Sequence, residues 1–450
     1  MSILKSKYLT KEDFVEIYKN NGNALAGETV KQSAFDYIQD NDLPTTKLEN
    51  WRKTDITPLL KHRFEYGKEV DLDEIVLTMY NLTGQSANIL VFVNGHFIPK
   101  FSRITEKEDV FIFDNIANVK KNQPEYFQKY FNKTEAHSAN IFSALNTAYA
   151  PNGAFVAIKK NSVVQNPVHI YHFSDGDNQK VTSLMRNLIV AECGAKAHIV
   201  FSFHPLSNDY IYTNVVNEVF TEANSYIDLN IFQGEGDDAF QTNLTKVHQE
   251  TGSSFYANTF TLCGHLVRND ILVKINGENC HTELNGLYMP DREQHFDNTL
   301  YVDHHVGHSS SKQFYRGIME NNATAVFFGQ SYINKDAIKS DIQQTNNNIL
   351  LSQHSKIHSK PQLIIHNDDV SATHGSTVGQ LDQEALFYMR SRGIGQKRAK
   401  VLLLNAFAEE VINKVQIEKL RLYYQFLVEK RLTGDKIEMQ CTKLGECRGC

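Results

Sequence analysis

Apolar positions along the chain change period twice. Near the N-terminus, EDFVEIYKN and VKQSAFDYIQ carry them at helical spacing, so residues 1–85 read as helix and loop. From about 86 to 375 the pattern becomes short β-branched runs, among them ILVFV, FVAIK, LIVAE, VVNEVF and ILVKI, broken by Gly, Asn, Asp and Ser. Residues 120–150 interrupt this with helix-like sequence, an expected helical insertion. Residues 376–450 return to helical spacing. Gly393 is placed to end a first short helix. A second helix carries the stripe Ala399, Leu402, Leu403, Ala406, Phe407 and Val411, and a third carries Ile417, Leu420, Tyr424 and Leu427. Two such stripes are more than a small appendage can bury against itself, so one face is a candidate partner surface.

The β region repeats. RNLIVAE, TNVVNEV, TNLTKVH and RNDILVK each begin with a polar residue and an asparagine, and each is followed by a turn (CGAKA, TEANS, QETGS, NGEN) and a second strand-like run. Asn187, Asn214, Asn243 and Asn269 lie 27, 29 and 26 residues apart, and Asn298, Asn322 and Asn348 continue the series. Two or three short strands per repeat of this length predict a β-solenoid in which equivalent residues stack in columns, with a twisted β-sandwich as the alternative. An asparagine column would bond backbone at corners that the ladder leaves unpaired. Trp51, the only tryptophan, sits in PTTKLENWRKTDITPLL and reads as an amphipathic anchor against the β body.

Composition narrows the chemistry. A net charge of −6 gives no electrostatic case for nucleic acid or an anionic membrane. MSILKSKYLTKEDFVEIYKN has no apolar leader core, and runs such as VLLLNAFA are too short to span a bilayer, so a soluble cytoplasmic protein is expected. Six cysteines in 450 residues suit a reducing compartment. GxxxxGK[ST], GxSxG and HExxH are absent, which removes the commonest signatures of P-loop ATPases, serine hydrolases and zinc proteases. Two clusters remain as metal candidates. In YVDHHVGHSSS a strand would turn His304 and His305 to opposite faces while His304 and His308 share one. In CTKLGECRGC, Cys441, Cys447 and Cys450 offer one CxxC and one further thiol, short of a closed zinc site. A stand-alone metal-binding solenoid, and a solenoid carbohydrate-active enzyme using surface carboxylates, are the rival functions.

One stretch, DDVSATHGSTVG from Asp368 to Gly379, reads as a loop at the junction of the β region and the last helices. With its flanks it forms KPQLIIHNDDVSATHGSTVGQLDQEALFYMRSRGI, which together with AFAEEVI and AVFFGQSYINKDAIKSDIQQTNNNILLS resembles the SufB/SufD family of iron–sulfur cluster assembly proteins. LENWRKTDITPL is similar to the SufD branch. The resemblance implies a right-handed parallel β-helix between helical regions, pairing with a SufB paralogue, and docking of a SufC ATPase on the C-terminal helices. Phe387, Arg390, Arg392, Phe407 and Tyr424 fall in that docking region. It implies a non-catalytic scaffold with no cofactor bound by the isolated chain. A transient iron–sulfur cluster would form at the SufB–SufD interface, and a flavin on the assembled complex is compatible with the resemblance. His374 matches the family's functional histidine, and Asp368 and Asp369 stand beside it as groups that could tune or cap. Many family members have a cysteine two residues before that histidine; Ala372 stands there in this chain, so thiolate ligands would come largely from SufB.

Overall fold

The computed structural model describes residues 8–19, 24–74, 76, 80, 82–84, 86–107, 109–133 and 140–434. Its body is a β-solenoid of about eight turns, each turn giving one strand to each of two facing sheets. Sheet A stacks Val181–Ala191, Ile211–Thr221, Ala239–Gln249, Leu266–Ile275, His295–His304, Thr324–Ile333 and Lys356–Ile365 in parallel. Sheet B stacks the alternate strands from Asn88–Val93 to Val370–Gly379. Period-two alternation then sends one set of side chains into the lumen, where Ile199, Leu229, Ile271, Leu284 and Phe327 pack with essentially no exposure.

What repeats most regularly is a left-handed corner. Asn161, Gly194, Asn224, Gly252, Asn279, His308 and Lys339 all have φ between 53° and 71°. The corner amides of 161, 194, 224, 252 and 308 each donate to a carbonyl of the next turn. Asn and Gly tolerate this conformation best, which is why the turns CGAKA, TEANS, QETGS and NGEN recur.

The asparagine series is therefore only partly a column. Asn243, Asn269 and Asn298 are in register, and Asn187 aligns with Asn217. These amides point into the lumen and bond one another (Asn187 Nδ2 to Asn217 Oδ1 2.7 Å, Asn269 Nδ2 to Asn298 Oδ1 3.2 Å), and Asn187 also accepts from the Ala154 backbone amide through Oδ1 at 2.7 Å. Asn214 faces outward and holds the helix Ile141–Tyr149 through the Phe142 carbonyl, Asn322 lies between strands, and Asn348 belongs to sheet B.

Close packing in the lumen uses glycine beside two tyrosines. Tyr288 and Tyr315 lie in successive turns, and Gly317 and Gly286 are their register partners. A Cβ on Gly286 would sit 2.1 Å from the Tyr315 ring. Gly286→Ala is expected to lower stability by about 1–3 kcal/mol, since the buried Tyr315 ring occupies the space the methyl group would take; urea unfolding measures this.

Helices cover the outer faces. Lys11–Lys19, Glu28–Asp40 and Ile141–Tyr149 pack on sheet A through Phe14, Ala34, Phe142 and Leu145 against Leu184, Tyr212, Phe240 and Leu266. The interrupting region holds two further helices, Ile116–Asn122 and Pro124–Tyr130. On sheet B, Gln396–Ile412 and Glu418–Thr433 bury Leu404, Ala408, Val411, Leu420, Tyr424 and Leu427 against Phe232, Phe260, Leu287 and Ile318. The second predicted stripe is thus spent on the solenoid, whereas in the first only Ala399 and Val411 are buried, Leu403 and Phe407 are half-buried, and Leu402 and Ala406 are exposed, because the helix turns Leu404 and Ala408 to the sheet instead. Among the described residues, no helix is long and apolar enough to cross a membrane.

Candidate functional site

The two ends of the solenoid differ. At the first turns, antiparallel pairings close the stack: His96–Phe97 folds back on Asn88–Val93, and Phe111–Asn115 on Ala154–Ile158. At the far end, Lys356–Ile365 and Val370–Gly379 terminate their sheets, and each has a strand on only one side. DDVSATHGSTVG is consequently not a loop. Its residues 370–379 form the last strand of sheet B, in parallel register with Ser340–Ile349, and the sheet continues past 375 to Gly379. Its short polar residues give the appearance of a loop, whereas the extended conformation is imposed by the neighbouring strand. Eight of the ten residues are exposed, although the preceding strand alternates buried and open positions, because no further turn covers the lumen.

His374 stands at that open mouth. Gln344 is its register partner, and the column behind it runs Gln313, Leu284, Ala257, Leu229 and Ile199, so the luminal column changes from apolar to polar as it approaches the end. Gln313 and Gln344 share the Ser331 hydroxyl (3.2 and 2.9 Å), while both of their Oε1 atoms are buried without a hydrogen-bond partner. Two residues on, Ser376 donates to Ser359 of the facing sheet at 2.7 Å, which confirms that this face of the strand looks inward. Ala372 shares it and packs towards Ile333, Ala337 and Ile342. The missing thiol therefore concerns a position directly beside His374 on the same face. Asp368 and Asp369 are exposed in the corner before the strand. The Asp369 carbonyl accepts from the Lys339 amide and its amide donates to the Asn367 side chain; among the described residues no hydrogen bond or ion pair joins either carboxylate to His374.

The YVDHHVGH histidines do not converge. His304 is buried and bonds Ser311 Oγ at 2.8 Å, and burial pushes its imidazole down to about 4. His305 turns outward to Asp303 at 2.8 Å, and His308 is a left-handed corner residue, so it does not share the His304 face as expected. Among the described residues no group of three His, Cys, Asp or Glu side chains is placed to hold a metal ion. Cys441, Cys447 and Cys450 lie outside the described residues.

On the C-terminal helices the expected docking residues separate. Phe387 is 72 % exposed and Tyr388 beside it 59 %, with Arg390 and Arg392 also open. Phe407 instead stacks on the Arg316 guanidinium (4.3 Å) and accepts from it through its carbonyl (2.8 Å), clamping the helix to sheet B. Tyr424 is 1 % exposed, in the apolar layer between helix and sheet, and is removed from the candidate surface. Leu402, Leu422 and Phe426 (42, 56 and 49 % exposed) are further large apolar side chains that these helices leave open. Of these only Leu402 stood in a predicted stripe; Leu422 and Phe426, four residues apart, could have been found as the opposite face to Leu420 and Tyr424.

Trp51 anchors the N-terminal segment as expected. Its ring lies 3.9 Å from the Arg268 guanidinium, which bonds both Asp270 oxygens, Asp297 and the Asn50 carbonyl. Burial opposes that charge, yet Asp270 and Asp297 hold the guanidinium above its ordinary pKa. Further along, Glu49 reaches Lys360 of the last sheet A strand at 3.1 Å.

Sequence comparison gives the family of this two-sheet solenoid. The family description "SUF system FeS cluster assembly, SufBD core domain" matches residues 172–407, and "SufBD protein N-terminal region" matches 9–170. This chain belongs to the SufBD family of iron–sulfur cluster assembly proteins. It is similar to the iron–sulfur cluster assembly protein SufD of Escherichia coli, at 28 % identity over 87 % of this chain and 90 % of the relative. It also resembles SufD of Bacillus subtilis, at 23 % identity over 90 % and 94 %. A SufBD family protein of Synechocystis matches at 28 % over 87 % and 88 %. Its place is accordingly that of a SufD-like cluster assembly protein.

Proposed function

We propose that this chain is a non-catalytic scaffold of a cluster assembly complex, pairing through the open solenoid end with a SufB-type paralogue and docking a SufC-type ATPase on its C-terminal helices. The observation that carries this reading is the uncapped last turn with His374 at its mouth. A strand as long as Val370–Gly379 with a free edge is a pairing template that proteins normally blunt, and here it carries exposed Val378 while the terminal strand of sheet A exposes Ile365. A second solenoid abutting this end would continue both sheets and bury that surface.

In that arrangement the imidazole of His374 faces the partner across the mouth. A neutral imidazole is a suitable borderline ligand for iron, and thiolates, which iron–sulfur clusters prefer, come from the paralogue because Ala372 supplies none. The cluster is cargo built at the interface, and ATP hydrolysis belongs to the SufC-type partner. For that partner, Phe387, Tyr388, Arg390 and Arg392 form the proposed contact, an exposed aromatic and cationic group of the kind enriched in interfaces.

Co-expression with SufB-type and SufC-type partners tests the pairing. Ile365→Lys with Val378→Lys places two charges at the apolar spots of the last turn and should weaken association with the SufB-type partner by ~10-fold or more. Binding of the SufC-type partner should be unchanged. Unaltered co-purification of the SufB-type partner would remove the open end from the interface.

A further inference from the structure

The last covered turn of the lumen holds an amide oxygen with nothing to accept. Gln344, 1 % exposed, is the register neighbour of His374 and shares its luminal face. Its Nε2 donates to the Ser331 hydroxyl at 2.9 Å, and Gln313, one turn deeper, donates to the same oxygen at 3.2 Å. Each of the two amide oxygens is left buried without a hydrogen-bond partner. They are not equivalent. A Cβ on Gly329 would sit 2.5 Å from Gln313 Oε1, so that oxygen lies against the backbone of sheet A, whereas Gln344 stands directly behind the mouth. Buried amide oxygens are normally paired, so a free one beside a functional side chain calls for a donor.

His374 is the donor within reach, because paired strands lie only about 4.8 Å apart and side chains of register neighbours on one face meet. In the isolated chain its imidazole is open to water. A partner seated on the open end removes that water, and a neutral imidazole then has one N–H to place and one lone pair to offer. Ala372 on the same strand and Pro361 on the luminal face of the facing strand have no polar side-chain atom. The Ser376 hydroxyl already donates to Ser359, which donates to Asn346, both at 2.7 Å. None of these neighbours is charged, and the Asp368 and Asp369 carboxylates stand in the corner before the strand.

We propose that Gln344 is the positioning residue of His374. Once the mouth is covered, Gln344 Oε1 accepts the N–H of one imidazole nitrogen, which leaves the other nitrogen unprotonated and directed out of the mouth towards iron. Metal-bound histidines ordinarily give their second N–H to such an acceptor, and that bond fixes both tautomer and ring orientation. The role of Gln344 rests on His374 being a ligand of the cargo cluster.

Cluster reconstitution on the full complex with its SufB-type and SufC-type partners, run across pH, tests this role. Gln344→Leu keeps the bulk and removes the acceptor; it should lower cluster yield ~10-fold or more, the weight of an outer-shell partner, with co-purification unchanged. Gln344→Glu keeps an acceptor and adds a negative charge. A carboxylate beside the ring favours the imidazolium, so the pH below which yield falls should move up by about one unit or more, with yield recovered on the alkaline side. Filling space alone would not move that limb. Unfolding midpoints of both variants control for folding. Wild-type yield in Gln344→Leu, or an unmoved acid limb in Gln344→Glu, overturns the positioning role while His374→Ala still lowers assembly. Wild-type yield in His374→Ala overturns it together with the ligand reading.

Discussion

A His374→Ala chain is expected to fold normally, to enter the complex with its SufB-type and SufC-type partners, and to lower cluster formation by about 10–100-fold or more. Even outer-shell groups around a metal are worth that range, and His374 is proposed as a direct ligand. Normal folding is expected because the side chain is exposed, no hydrogen bond ties it to the solenoid among the described residues, and its backbone keeps the same register with Gln344. His374→Cys separates ligation from shape: a soft thiolate on the same strand position should recover part of the activity, whereas His374→Gln should not. Reconstitution of the purified complexes, followed by cluster absorbance and iron and sulfide content, reads the difference. Equal cluster yield from wild type and His374→Ala would take this imidazole out of the chemistry.

The second large effect concerns Arg268. Replacing it with methionine should destabilise the chain by about 3–5 kcal/mol, because removing one partner of a buried charge network leaves the others uncompensated. Asp297 is 1 % exposed and Asp270 9 %, and both currently accept from the guanidinium. The loss extends beyond the pair. The Asn50 carbonyl loses its donor and Trp51 loses the cation on its face, so the N-terminal segment should detach from sheet A before the solenoid melts. Denaturant unfolding followed by Trp51 emission and by far-ultraviolet circular dichroism should show the two signals parting in Arg268→Met and coinciding in the wild type. Arg268→Lys should not restore the network, since an ammonium cannot bond Asp270 bidentately and Asp297 together.

The solenoid was legible because its physics is periodic: the corners that need Asn or Gly return once per turn, and the luminal strands between them are rich in β-branched residues. Spacing alone could not assign each asparagine to a face. Asn214 and Asn217 are three residues apart on one strand, so they point to opposite sides, and only register shows that 217 continues the luminal ladder from 187. The helix faces were harder. VLLL at 401–404 places apolar residues all round one turn, and the sheet buries Leu404 while leaving Leu402 open. Tyr424 sat in a correctly placed stripe, but that stripe faces the solenoid. Residue identity pointed to His374 through resemblance. Its position on an edge strand, and not a loop, depends on a neighbour 30 residues earlier in the chain, Gln344.

Hydrogen exchange of residues 370–379, measured for the chain alone and with its SufB-type partner, tests the central claim most directly. In the isolated chain, backbone amides on the unpaired side of this strand should exchange quickly. On mixing with the partner they should become protected, together with those of 356–365, while the amides of the first turns stay as they were. Protection appearing elsewhere on the solenoid, with the last strand still exchanging freely, would contradict assembly through the open end.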